Sequence, residues 1–258
     1  MSFCFDGKVV VVTGGASGIG QATAVAFAEA GARVMVGDVR ATADPDVFDK
    51  LGIVELRCDV RCEDEVRQLV TQAAAPGERV DVLVNNAGVG MIKQIDEVTE
   101  EEWDRCLDTN LKGAFFGCKH VIPRMRPQGG AIVNVASNAG LLPRAHDPVY
   151  SISKHALVGL TKSLALCHSK DKIRVNAVCP GPVGGTDLMN EELDLAPDRE
   201  LAEQRIINAS PLARAHARMI SSAEIAQSIL YLASDAAAMV TGTSVAIDGG
   251  KSLGVPPA

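Results

Sequence analysis

Aromatic side chains are scarce: one Trp, two Tyr and six Phe among 258 residues, 3% in all. A core with so few rings must rest on Val, Ala, Leu and Ile, which suits buried parallel strands and closely packed helices. No apolar run is long enough to cross a bilayer, so no membrane partner is expected. Positive charge is also short. The formal net charge of −7 argues against a nucleic-acid partner, which normally needs a basic face. The stretch Met1-Ser2-Phe3-Cys4-Phe5-Asp6 lacks a basic end followed by an apolar run, so a secretory signal is not expected. The seven cysteines include no Cys-x-x-Cys pair; Cys58 and Cys62 come nearest, and no His follows at zinc-finger spacing. They read as reduced thiols of a cytoplasmic protein without a metal site.

What is present is ordinary globular chemistry, 47% hydrophobic and 22% charged. Lys8 to Thr13 is a β-branched run that reads as a buried strand. A glycine cluster follows, then an Ala-rich helix from Gln21 to Ala30 stopped by Gly31, then a strand from Arg33 to Gly37 ending at Asp38. The alternation continues with strands at Ile53–Cys58, Val80–Asn85, Ala131–Ser137 and Ile173–Cys179 and a last one at Ser244–Ile247. Between them lie helices at Glu63–Ala75, at about Glu101–Met125, and one opening after Pro148. Such alternation predicts an α/β fold: a Rossmann-like, doubly wound parallel sheet of about seven strands with helices on both faces. No linker or composition break divides residues 1–258, so one domain is expected. The exception is the acidic interval of about 184–218, a long excursion past a strand's carboxyl end that suits a lid over a ligand crevice.

The turn from Gly14 to Gly20 spells G-x-x-x-G-x-G rather than the standard dinucleotide G-x-G-x-x-G. Between a strand and a helix, glycines allow a sharp turn and close approach to a pyrophosphate, which the helix N-terminus also attracts. Asp38, at the end of the second strand, is placed to accept hydrogen bonds from a ribose diol and to repel a 2′-phosphate, which predicts NAD over NADP. Ser17 is not basic; Arg40, two residues past Asp38, is the counter-argument. Further on, Tyr150 and Lys154 fall four apart at the start of a helix and so share a face. A cation within about 4–6 Å would lower the phenol's pKa toward what a general acid/base needs.

Thr13-Gly14-x-x-x-Gly18-Ile19-Gly20, Asn85-Asn86-Ala87-Gly88, Asn110, Ser137, Tyr150-x-x-x-Lys154 and Pro180-Gly181 occur in the order and approximate spacing of the short-chain dehydrogenase/reductase family. The resemblance extends from Lys8 to the Ile247-Asp248-Gly249-Gly250 tail. It implies that Tyr150 is the general acid/base, that Lys154 lowers its pKa and holds the nicotinamide ribose, and that Ser137 steadies the substrate oxygen. It implies further that Asn110 anchors a water leading from Lys154 to solvent. Gly14, Ser17, Gly18, Ile19, Gly20, Asp38, Asp59, Val60, Asn86, Ala87, Gly88, Pro180, Gly181 and Val183 would then line the NAD site, with Asp59-Val60 near the adenine and Asn85 and Asn86 tying neighbouring strands. Two departures stand out: Gly184-Gly185 place Thr186 one residue later than usual, and the stretch between Asp38 and Asp59 is short.

The expected activity is hydride transfer between NAD and a secondary alcohol or ketone. The alternatives are a non-catalytic NAD(H)-binding sensor or scaffold, and a reductase or dehydratase using the same residues at a C–C bond. The substrate itself is not legible, although Asn138, Leu142, His146 and Met189 are expected near its pocket. The resemblance also implies a homotetramer or homodimer, joined through the helices of Asn110 and Tyr150.

Overall fold

The computed structural model describes residues 3–74 and 79–254. Its seven strands are β1 (Val9–Thr13), β2 (Arg33–Asp38), β3 (Val54–Arg57), β4 (Val82–Asn85), β5 (Gly130–Val135), β6 (Ile173–Pro180) and β7 (Ser244–Ile247). They form one parallel sheet in the order β3-β2-β1-β4-β5-β6-β7. The chain builds outward from β1 to β3, then crosses back to lay β4 against the other side of β1. The carboxyl ends of β1 and β4 therefore adjoin, Thr13 paired with Asn85, and a crevice opens where the winding reverses.

Both faces of the central strands are buried because successive residues point to opposite sides. Val10 and Val12 join a core with Phe27 of α1 (Gly18–Glu29) and Ile225 and Ile229 of α10 (Ser222–Ala233). Val9 and Val11 join a second core with Leu69 of α3 (Glu63–Ala73), Val121 and Met125 of α5 (Gly113–Met125), and Ala165 of α6 (Pro148–His168). The sequence expectation of a doubly wound α/β sheet is met.

Element boundaries depart from expectation where local contacts decide them. The short stretch after Asp38 holds α2 (Pro45–Leu51), seven residues with Pro at its start and Gly52 in the left-handed conformation at its end. β3 is shorter than the expected Ile53–Cys58 and is an edge strand, with Val54 and Glu55 exposed; its charged Glu55 and Arg57 discourage further pairing. Ala75, expected as the end of a helix, lies outside the described residues. The single long helix expected over 101–125 is three segments. α4 (Glu100–Leu107) starts on a Thr99–Glu102 capping box, a π-turn occupies Asp108–Lys112, and α5 carries on to Met125. Between β6 and α10 the interval at 184–218 contains α7 (Asp187–Asp194), α8 (Arg199–Asn208) and α9 (Pro211–His216) with a small core of their own. Among the described residues no helix is long and apolar enough to cross a membrane.

The crossover point is packed backbone to backbone. Gly14 has φ +65°, and a Cβ there would lie 2.6 Å from Ala87 Cα. Asn86 clamps the same turn, its Nδ2 donating to Gly14 O at 2.7 Å and Thr13 O at 3.1 Å. A Cβ on Gly20 would overlap the Gly14 carbonyl oxygen and crowd that clamp. Gly20→Ala is therefore expected to lose stability at the upper end of the ~1–3 kcal/mol typical of overpacking. Denaturant unfolding with an unchanged midpoint would show that this contact is not a constraint.

Candidate active site

A cleft of about 500 Å³ lies along the carboxyl ends of the strands. Its near wall is the β1–α1 turn, with Gly14, Ser17, Gly18 and Ile19; Gly20 packs behind them. Asp38 sits at the end of β2, buried, with Oδ2 accepting from Ala16 N at 3.0 Å and Oδ1 from Arg40 N at 3.1 Å. Each oxygen keeps a lone pair free for a ligand hydroxyl. Asp59 and Val60 line the same end. Arg61 grips the Asp59 carboxylate through Nε at 3.0 Å and Nη2 at 2.7 Å, which holds that carboxyl below the usual carboxylate range. Asn86, Ala87 and Gly88 line the middle, and Pro180, Gly181 and Val183 the far side. The glycine cradle, a free-edged carboxylate and a cleft of this size together fit a dinucleotide.

Tyr150 and Lys154 share one face of α6 and both line the cleft, while remaining 7% and 4% exposed. Lys154 Nζ lies 5.7 Å from the Tyr150 ring centroid and donates to Val135 O at 3.0 Å. Ser137 stands just past β5, its Oγ accepting from Ala139 N at 3.1 Å, donating to Asn138 Oδ1 at 3.3 Å and lying near enough to the Tyr150 phenol to oppose its upward shift. Burial pushes the phenol up to about 12; the Ser137 hydroxyl and the Arg144 charge pull the other way without prevailing. Burial likewise brings the Lys154 ammonium down to about 8. The expectation that Lys154 depresses the phenol is thus corrected for the protein alone. Both groups have left water, and loss of hydration disfavours whichever form is charged, phenolate and ammonium alike.

Asn110 does not line the cleft. It lies 1% exposed in the π-turn, where Oδ1 accepts from Val89 N at 2.8 Å. Its Nδ2 reaches Val89 O at 3.0 Å and Ser153 Oγ at 3.0 Å, and Ser153 in turn donates to Tyr150 O at 2.7 Å. A π-turn widens the helix and often accompanies a functional position. A Cβ added at Gly88 would lie 3.2 Å from Asn110 Oδ1 and 3.4 Å from Lys154 Nζ, so both side chains converge on that glycine. Asn85 ties β4 to β5 through Asn134 Oδ1 at 2.8 Å.

Of the residues expected near the substrate, Asn138 and Met189 line the cleft; Leu142 and His146 do not, and His146 is exposed. Thr186 caps α7, accepting from Met189 N at 3.3 Å and donating to Val183 O at 3.0 Å. The extra glycine thereby gives it a structural task. Sequence reasoning missed Arg144, Glu192, Asp187 and Lys251, which come to the cleft from four separate positions in the chain. Arg144 lies 6.0 Å from the Tyr150 ring centroid, and Asp187 takes the Arg40 guanidinium at 2.7 Å and the Ser17 hydroxyl at 3.2 Å. No local pattern marks them.

A Rossmann-like sheet with a glycine turn at its crossover and a buried Tyr–Lys–Ser group beside it defines an oxidoreductase. The chain belongs to the short-chain dehydrogenase/reductase family: residues 14–252 match a family model described as enoyl-(acyl carrier protein) reductase. It is similar to the 3beta-hydroxysteroid dehydrogenase of Mediterraneibacter gnavus, 36% identical with 95% of each chain covered. It is also similar to the D-beta-hydroxybutyrate dehydrogenase of Rhizobium meliloti, 34% identical over 94% of this chain and 98% of that one. Among solved structures, the ligand-free aldohexose dehydrogenase of Thermoplasma acidophilum superposes with a TM-score of 0.90 at 32% identity, covering 99% of this chain and 98% of the other.

The depressed Lys154 value has a thermodynamic consequence. Between about 8 and the unfolded value of 10.5 the unfolded chain binds the proton that the folded one has lost, so wild-type stability rises with pH across that window. Below pH 8 the folded protein bears the cost of a buried ammonium. Lys154→Met is expected to be the more stable protein at pH 7, by up to ~3 kcal/mol, with the advantage shrinking as pH rises toward 10. Thermal melts of both proteins from pH 6 to 10 measure it; a pH-independent difference would contradict the burial argument.

Proposed function

We propose that the enzyme is NAD-dependent and interconverts a secondary alcohol and a ketone. The observation that carries this reading is the convergence of the Tyr150 phenol, the Ser137 hydroxyl and the Lys154 ammonium on one buried wall of the cleft. When bound, the nicotinamide accepts or returns the hydride at C4 while the carbinol proton passes to or from the protein. Gly14, Ser17, Gly18, Ile19, Asp38, Asp59, Val60, Asn86, Ala87, Gly88, Pro180, Gly181 and Val183 would hold the dinucleotide, with Gly20 supporting the turn from behind. Tyr150 and Lys154 would hold its nicotinamide ribose. The Asp38 carboxylate supports NAD over NADP, and the pairing of Arg40 with Asp187 leaves that cation less available to a 2′-phosphate.

Tyr150 is the proton-exchanging group in this reading. With its proton held to about pH 12, the phenol is in the form that can donate to the oxygen of a ketone being reduced, as a weaker acid than a free phenol. In oxidation the phenol must first lose its own proton to solvent, a loss that the positive charge of Arg144 favours, and then accept the carbinol proton. Ser137 orients the reacting oxygen, and Asn110 positions the turn of α6 that carries Tyr150 through Ser153. The chain acts as one domain, with α7 to α9 as a lid over the cleft. The printed description of the family model favours a second reading, reduction of an activated C=C bond by the same residues, which product analysis separates from carbonyl chemistry. The three relatives above are named for a steroid, a hydroxy acid and a sugar, so likeness alone leaves the alcohol open.

Exposed apolar side chains lie along the helices expected to join subunits: Trp103 on α4, Phe115 on α5, Ile152 and Leu166 on α6. Their exposure supports self-association that would bury them, with a tetramer as the expected state and a dimer the alternative. Light scattering should report four copies; a monomer would refute the assignment. For the chemistry, a panel of alcohols and ketones followed through NADH absorbance, with NADPH in comparison, should give turnover with NADH. Tyr150→Phe should lose roughly 10²–10⁴-fold in kcat and still bind NADH. Near-normal turnover in that variant would overturn the proposal.

A further inference from the structure

The substrate end of the cleft contains a cation held in no ion pair with a described residue, although Glu192, Asp248 and Asp147 act on it from farther off. Lys251 opens a single 3-10 turn, Lys251–Leu253, after two glycines of positive φ. That turn is rigid. Asp248, 3% exposed, accepts from Gly250 N at 2.9 Å and from Ser252 N at 2.8 Å, and α9 docks on it through Leu212 N to Gly249 O at 2.9 Å. The Lys251 side chain is half-buried in the cleft wall, yet it makes no hydrogen bond or ion pair with any described residue.

Arg144 lines the same end. Its Nε is held by Asp147 Oδ2 at 3.1 Å, and its terminal nitrogens bond to no described residue. The carboxylates nearby divide clearly. Asp147 is occupied by Arg144, and by Ser151 Oγ at 3.2 Å; Asp248 is occupied by its turn. Glu192 is in no ion pair or hydrogen bond with a described residue, and it lies beyond ion-pair distance of Lys251. A cation stripped of part of its water and given no counter-ion is costly, and proteins retain such groups where a ligand completes them. Burial and the Arg144 charge together hold the Lys251 ammonium below its ordinary value, the direction that an incoming anion reverses.

We infer that Lys251, with the free edge of Arg144, forms an anion subsite and that the alcohol oxidised here carries a carboxylate. One free ammonium beside a guanidinium already shared with Asp147, with Glu192 close by, matches a single negative charge. A phosphate dianion would be repelled by Glu192. Lys251 is thus assigned as a substrate-binding residue, and Glu192 as one that limits how much negative charge the subsite accepts.

This inference rests on the hydride-transfer reading, and the experiment separates the two. Straight-chain 2-, 3- and 4-hydroxycarboxylates of four to six carbons, each paired with its methyl ester, are assayed with NAD. At least one acid should exceed its ester in kcat/KM by about tenfold or more, the scale of one charge-assisted hydrogen bond. In Lys251→Met the acid-to-ester ratio should fall by a similar factor, mainly through KM, and Lys251→Arg should restore most of it. Glu192→Gln should raise the ratio by up to about fivefold, as removal of a partly exposed like charge allows. NADH fluorescence titration identifies any variant that has failed to fold. Esters or other neutral alcohols turned over as well as the acids, or a ratio unmoved by Lys251→Met, would overturn the subsite while leaving the dehydrogenase reading intact. No turnover of any alcohol would overturn both.

Discussion

An ammonium buried behind a tyrosine, with one carbonyl for company, is the constraint on which the site depends. Lys154 gives up water for a single hydrogen bond to Val135 O, at 3.0 Å. Nothing about folding favours that arrangement, since an apolar side chain of similar size would fill the space without the loss of hydration. The surrounding structure holds it there. Val135 ends β5, which is buried from Ala131 onward, and α6 is tied to the sheet below through Asn134 and Thr161 at 2.9 Å. The same burial raises the Tyr150 phenol from 10.0 to about 12 and lowers the Lys154 ammonium from 10.5 to about 8, so the two proton affinities move apart and each group is pushed toward its neutral form.

The cofactor end shows the complementary economy, in which backbone does what side chains do at the catalytic end. Gly14 and Ala87 touch because neither the turn after β1 nor the loop after β4 has bulk there, and Asn86 stitches them with two hydrogen bonds. The result is a smooth wall with few side chains, where a pyrophosphate can lie close to main-chain N–H groups. Over this wall, Arg40, Ser17 and Asp187 form a bridge from the β2 end and the glycine turn to the start of α7. That bridge is exposed, with the two charged side chains 64% and 50% accessible, and is correspondingly weak and salt-sensitive. A weak clasp suits a segment that must let a ligand in.

Much of this was legible in one dimension. β-Branched runs ending in glycine marked the central strands, and Tyr150 and Lys154 stood four apart on a helix free of breakers. Both rest on local periodicity, which a sequence displays directly. The departures arose where local signals are balanced by distant ones. The helix through Asn110 is read as continuous because nothing in Asp108–Lys112 forbids an α-helix; the π-turn satisfies Asn110's contacts with Val89, 21 residues away. The strand at β3 was legible, but its place at the edge follows from the order of the sheet, since no later strand is laid beside it. The position of His146, four residues before Tyr150, suggested the pocket, but it precedes the helix and faces solvent.

The sequence by itself determined the class of fold, the crossover glycines and the identity of the Tyr, Lys, Ser and Asn group, because each is expressed in residue type and short-range spacing. Only the tertiary structure decided the sign of the Tyr150 shift, since burial depends on what the rest of the chain packs around a residue. It alone also brought Arg144, Glu192 and Lys251 to one end of a cleft. Those residues are separated by up to 107 positions, from Arg144 to Lys251, and no local rule of helix or strand relates side chains so far apart.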